Sequence, residues 1–174
     1  MAHSIQLADI TTQFTDFVAG KVSRDDVGAW IAEKIMTPPA TQTEADRLGG
    51  DSETRTLVYL MSESLCSLQR DEEEACHFAT RVLACIEQVD EPDVVIDLLP
   101  LIRHHEDFSI LVSKHARGRI SRAGFRSIVK KRFAFDAVRS WLEGASNDQL
   151  AALMEAVEAS DFRRARSQLS LPAA

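Results

Sequence analysis

Apolar residues recur every three or four positions along most of the chain, the spacing of one face of an α-helix. Ile5, Ile10, Phe14, Phe17 and Val18 share such a face, so a first helix is expected over 4–19, ended by Gly20. The Ser23 hydroxyl is placed to cap a second helix, and Asp26 three residues on completes a shortened capping box. That helix is expected to stop at Met36, because Thr37-Pro38-Pro39 cannot continue it. Residues 37–52, with two prolines, two glycines and little apolar content, are expected to form a mobile loop. Leu57, Leu60, Met61, Leu65 and Leu68 then mark an amphipathic helix over 52–69.

The pattern continues in the same vein. Asp71 opens a helix whose first turn holds Glu72, Glu73 and Glu74, and Phe78, Val82, Leu83 and Ile86 carry its apolar face. Asp90-Glu91-Pro92 is another start, and Pro100 inside the following apolar run is expected to kink that helix or end it early. Phe108, Ile110, Leu111 and Val112 predict a short helix finishing before Gly118. Ser121 caps a helix running to Phe133, and Val138, Trp141 and Leu142 extend the pattern to Gly144. Ser146 with Gln149 is a capping box for Leu150, Leu153, Met154 and Val157, and a tail helix from Ser160 carries Phe162 and Leu169. No stretch alternates with period two. The expectation is an all-α protein, residues 1–174 forming a single-domain irregular bundle of about eight or nine helices built from αα-hairpins.

Two stretches are nearly the same line. GKVSRDDVGAWIAEKI starts at Gly20 and GRISRAGFRSIVKKRF at Gly118, 98 residues later. Val27, Trp30, Ile31 and Ile35 in the first correspond to Phe125, Ile128, Val129 and Phe133 in the second. At about 100° per residue, both sets cover the same arc of a helical wheel, and Lys34 or Arg132 lies inside it. Each line follows a helix end, so each reads as the corner of an αα-hairpin. Duplication and convergence on a good corner explain the likeness equally. No period of about 33–47 residues runs through the rest, which argues against a regular solenoid.

Composition changes this picture little: 45% hydrophobic and 27% charged residues are ordinary for a globular protein. Cys66, Cys76 and Cys85 are too few for a disulfide framework, and Cys76 and Cys85 read as small apolar core residues. The opening MAHSIQLADITTQF lacks a basic flank followed by an apolar run, and no apolar run reaches membrane length, so the expected compartment is the cytoplasm with no membrane contact. Charge is more informative. The net −7 hides 19 acidic against 7 basic residues in 1–100 and 8 against 13 in 101–174. Such a division gives a dipolar field able to orient a charged partner.

Candidate chemistry is sparse. His104-His105-Glu106-Asp107 is the one dense group of possible metal ligands, with His115 nearby. Adjacent helical histidines point about 100° apart, so they do not share a metal easily. The group reads as a polar helix end where His and Arg103 meet the C-terminal dipole, and His77 reads as a partly buried core histidine. No nucleophile elbow, zinc helix, Walker loop or dinucleotide fingerprint is present. The expectation is therefore no catalytic residue, no metal and no cofactor. Arg122, Arg126 and Lys130 form a basic stripe at i, i+4, i+8 that is suited to phosphates. The acidic set from Asp71 to Glu74, with Asp90, Glu91, Asp93 and Asp97, suits a basic partner.

FVAGKVSRDDVGAWIAEKI and KHARGRISRAGF each resemble the F-x-x-G-x-[IV]-[ST]-x-x-[DEF] corner, followed by an aromatic-bearing helix, of small all-helical bacterial immunity proteins such as the colicin D immunity group. The resemblance covers these two stretches alone. It implies a cytoplasmic antidote that binds a toxin, often a nuclease, and blocks its active site. The expected partner is thus a protein, a toxin domain; the resemblance carries over no binding residue, and it is the acidic first half that offers Glu72, Glu73, Asp93 and Asp97 to meet it. A helical scaffold or adaptor is the alternative, as is a nucleic-acid-binding regulator using the basic stretch 114–132. The chain's acidity and the lack of an aromatic platform place nucleic acid behind a protein partner.

Overall fold

The computed structural model describes residues 7–36, 67–89, 92–132 and 136–170. Among the described residues there are nine α-helices and no strand, the all-α class the periodicity predicts. The expected loop over 37–52 and most of the helix over 52–69 lie outside them; of the latter, Ser67 and Leu68 are helical and buried and Gln69 is an exposed turn residue. The chain divides into two compact units, Met1–Ile96 and Asp97–Ala174.

In the first unit, α1 (Leu7–Val18) and α2 (Arg24–Met36) form a hairpin, and α1 packs along α3 (Glu72–Gln88). Ile10, Phe14 and Phe17 of α1 meet a face of α3 made by Ala75, Phe78, Ala79, Val82 and Cys85, all buried. Phe14 stands edge-on to Phe78 at 6.4 Å and 68°, an arrangement worth about 0.5–1.5 kcal/mol beyond the area it buries. Asp71 starts α3 by accepting a 2.9 Å hydrogen bond from the Glu74 amide. His77 falls on the exposed side of α3, which corrects the expectation of a core histidine: the alanines and Phe78 take the inner face. The inner face also buries Arg81, 7% exposed, which no apolar pattern signals. One turn on, burial pushes the Cys85 thiol up to about 12, outweighing the opposing pull of the Arg81 charge.

The boundary between the units falls within α4 (Pro92–Arg103). Pro92 takes its first position, as expected, but Pro100 does not end it early: the helix continues to Arg103, and the Pro100 carbonyl accepts from the His104 amide at 3.0 Å. An interior proline removes one donor and crowds the carbonyl four residues back, yet this helix carries on past it; Pro100 is itself buried, as are Leu98, Leu99, Leu101 and Ile102. His104 is a one-residue junction. His105, Glu106 and Asp107 then form the first turn of α5 (His105–Ala116), so the polar group joins two helices where a C-terminal end alone was expected.

In the second unit α5 packs against α8 (Asn147–Glu158), which packs against α9 (Phe162–Leu169), while α6 (Arg122–Arg132) packs against α7 (Asp136–Gly144) and touches α5. The Ser146–Gln149 capping box is complete, side chain to amide in both directions. Phe125 of α6 lies at 6.2 Å from Phe108 and stacks on His115 at 4.8 Å. The His115 ring nitrogen Nδ1 is 3.1 Å from the Ile120 carbonyl, which places a proton on Nδ1 because a carbonyl can only accept.

The duplicated line is one backbone object. At the end of α1 the Gly20 amide donates to the Phe17 carbonyl and the Lys21 amide to Asp16, at 2.9 and 2.8 Å. At the end of α5 the Gly118 amide donates to His115 and the Arg119 amide to Lys114, both at 2.9 Å. This paired closure satisfies helix-end carbonyls and needs a left-handed residue, and the two glycines have φ of 69° and 68°. Burial repeats as well: Val27 and Ile31 are buried around a half-buried Trp30, as Phe125 and Val129 are around Ile128. Ser23 and Asp26 make the capping box in the first copy, holding the Asp26 carboxyl below its ordinary value through the Ser23 side-chain and backbone hydrogen bonds. In the second copy the Ser121 hydroxyl accepts from the Gly124 amide, and no carboxylate answers. A Cβ at Gly124 would lie 3.2 Å from Ile120 Cγ2.

A third corner, without glycine, joins α8 to α9. The Ser160 amide donates to Val157 and the Asp161 amide to Ala156, and Ser160 has φ 54°. A left-handed L-residue costs about 1–2 kcal/mol. A β-branched side chain tolerates that backbone worse still, so Ser160→Val should lower stability by about 1 kcal/mol or more, measured as a lower urea midpoint at unchanged slope. Cys85 predicts a pH dependence. The folded thiol holds its proton more tightly than the ordinary value of 9.0 allows, so its share of stability is whole below pH 9 and falls as pH rises toward 12. In urea titrations from pH 9 upward, Cys85→Ala should lose stability with pH less steeply than the wild type.

Candidate functional site

Two charged surfaces are candidates, one in each unit. In the first, Asp71 and the three glutamates Glu72–Glu74 sit at the start of α3, all exposed. The helix dipole favours carboxylates there. Arg24 of α2 reaches toward this turn: its guanidinium donates to the Arg70 carbonyl, and its Nε is 3.8 Å from Glu72 Oε2. Arg70 stands 3.8 Å from Glu74. Glu73 has no partner among the described residues. Exposed pairs at such distances are worth little, so the turn keeps most of its negative charge available.

The expected basic stripe has a different fate. Arg122, Arg126 and Lys130 do line up on α6, but all three turn toward the C-terminal end of α7. Arg122 donates to the Gly144 carbonyl at 2.9 Å and Arg126 to the Glu143 carbonyl at 3.1 Å. Lys130 Nζ is 4.0 Å from Glu143 Oε2, and Glu143 Oε1 is buried without a hydrogen-bond partner among the described residues. Carbonyls at a helix end carry partial negative charge, so the stripe acts as an external cap for α7.

Comparison with known proteins comes back empty. No family model matches the chain, no curated protein matches it, and no solved structure matches it.

The residues expected to meet a partner are distributed as follows. Glu72 and Glu73 belong to the first unit, side by side at the start of α3. Asp93 lies in the first turn of α4 on the same side of the division, and Asp97 begins the second unit as a half-buried residue. Among the described residues no group of three or more His, Cys, Asp or Glu is placed to hold a metal ion, and no helix is long and apolar enough to cross a membrane. Sequence reasoning missed the tie between α6 and α7, because its acceptors are backbone carbonyls 17 to 22 residues away.

Arg122→Ala and Arg126→Ala should each lower stability by about 0.3–1 kcal/mol, the worth of a cation at a helix C-terminus. Urea titrations at low and at molar salt should show this loss shrinking with ionic strength.

Proposed function

We propose that the chain is a cytoplasmic binding protein of the immunity type, docking on a cognate toxin domain and blocking it without catalysing a reaction. The observation that carries this reading is the acidic turn at the start of α3. Glu72, Glu73 and Glu74 are exposed, Glu73 is unpaired among the described residues, and the cations near its neighbours stand at 3.8 Å. Carboxylates stabilised by a helix dipole need little rearrangement to accept a basic partner. The unit around them, Met1–Ile96, has 18 acidic against 7 basic residues, a balance of −11, and such a field speeds encounter with a positive surface. The engagement of Arg122 and Arg126 with α7 speaks against that stripe as the contact.

The test is a pull-down from the native cell with the tagged chain, followed by titration calorimetry on the captured domain. A basic domain bound 1:1 by a monomeric chain is expected, the monomer being checked by light scattering. Glu72→Lys, Glu73→Lys, Asp93→Lys and Asp97→Lys together should weaken that binding about tenfold or more. Unchanged affinity in the reversed variant removes the acidic contact, and a concentration-independent oligomer favours the scaffold reading.

A further inference from the structure

The corners at Gly20 and Gly118 share a backbone and differ in charge. In the first, the closure that carries the Lys21 amide to the Asp16 carbonyl also pairs their side chains, with Lys21 Nζ 2.8 Å from Asp16 Oδ1. In the second, the two equivalent positions hold Lys114 and Arg119, closed by the same backbone bond at 2.9 Å. Two cations thus occupy positions that form a salt bridge in the other copy. Arg117 adds a third where the first corner has Ala19. All three are exposed, and their side chains have no partner among the described residues.

Helix capping does not account for them. The dipole at the end of α5 favours a cation, yet none of these three side chains donates to a carbonyl there, unlike Arg122 and Arg126 at the end of α7. No acidic residue relieves the repulsion locally, since the sequence between Asp107 and Asp136 holds eight Lys or Arg and no Asp or Glu. The unit Asp97–Ala174 as a whole has 13 basic against 9 acidic residues, a balance of +4. Like charges held together by a rigid turn are the preorganised half of an anion contact.

We propose that Lys114, Arg117 and Arg119 bind the phosphate backbone of a nucleic-acid strand without reading its sequence. Phosphates suit this corner better than an acidic protein does. A stable protein interface needs buried aromatic or aliphatic anchors, whereas phosphate contacts derive affinity from counterion release. From Leu111 to Gly124 the exposed positions hold only Lys, Arg, Ser, Ala and Gly. Ile110, one turn before Lys114, is a lone exposed apolar side chain and makes no patch. Guanidiniums also match phosphate geometry with two donors at once. This contact is distinct from the stripe at Arg122, Arg126 and Lys130 and independent of the acidic turn at α3, so the two readings stand or fall separately.

The experiment is fluorescence anisotropy of a labelled 20-nucleotide single-stranded DNA of mixed sequence, titrated with the full chain at several salt concentrations. Three phosphate contacts predict a slope of log affinity against log salt of about −2. The variant Lys114→Ala, Arg117→Ala, Arg119→Ala should bind about tenfold or more weakly with a slope near zero. Lys114→Asp restores the acid–base arrangement of the first corner, so it should keep the helical circular-dichroism signal and also lose binding. Lys21→Ala should change nothing. No binding by the wild type at 50 mM salt overturns the proposal, as does unchanged binding by the triple variant or by Lys114→Asp. Polyglutamate competing as well as the DNA, at equal charge, transfers the contact to an acidic protein and overturns it too.

Discussion

A helix end leaves carbonyl oxygens without partners, and this chain disposes of them repeatedly with a single left-handed residue. Gly20, Gly118 and Ser160 each let their own amide and the next one turn back onto the helix just finished. Each reversal fixes one pair of neighbouring helices. The three set α2 beside α1, α6 beside α5 and α9 beside α8, so that apolar faces written along one strand of sequence meet. Phe17 at the first corner and His115 at the second occupy equivalent places, and the His115 ring serves both to stack on Phe125 and to hold the Ile120 carbonyl. The corner is therefore a packing element as well as a turn.

Because the closure is made by backbone atoms, it constrains charge hardly at all. One copy pairs Asp16 with Lys21 and closes its cap with the Asp26 carboxylate; the other puts cations at 114, 117 and 119 and caps its helix with the Ser121 hydroxyl alone. The same freedom operates at larger scale. The division between compact units coincides nearly with the division of charge, −11 in Met1–Ile96 and +4 in Asp97–Ala174. Two surfaces of opposite sign on one chain suit different partners, and the local accounts of the acidic turn and the basic corner need no common ligand.

The legible part of the fold was the part that local chemistry dictates. Gly20, Gly118, the Ser23–Asp26 and Ser146–Gln149 boxes and the Asp71 cap all act within a few residues of themselves, and their spacing announces them. Ser160 was not legible as a corner because it lacks the glycine that advertises left-handed backbone. Of the two outcomes expected at Pro100, the helix does not end early, because one missing donor alone does not stop it. The side chosen by His77 depended on Ala75 and Ala79, which a search for large apolar residues overlooks. The candidate surfaces were legible as sequence clusters only. Whether a cation is free or engaged is decided by distant backbone acceptors, as Arg122 and Arg126 illustrate, and no side-chain pattern encodes those.

Gly124 carries a historical consequence. It stands where the first copy has Asp26, and a side chain there would press on Ile120, whose carbonyl is gripped by His115, which in turn lies against Phe125. Replacing Asp26 by an uncharged residue removes the acid from the first corner, whereas placing one at 124 asks Ile120 to give by a few tenths of an ångström. If the two lines descend from one ancestor, the packing of Ile120 tilts this position toward keeping its glycine.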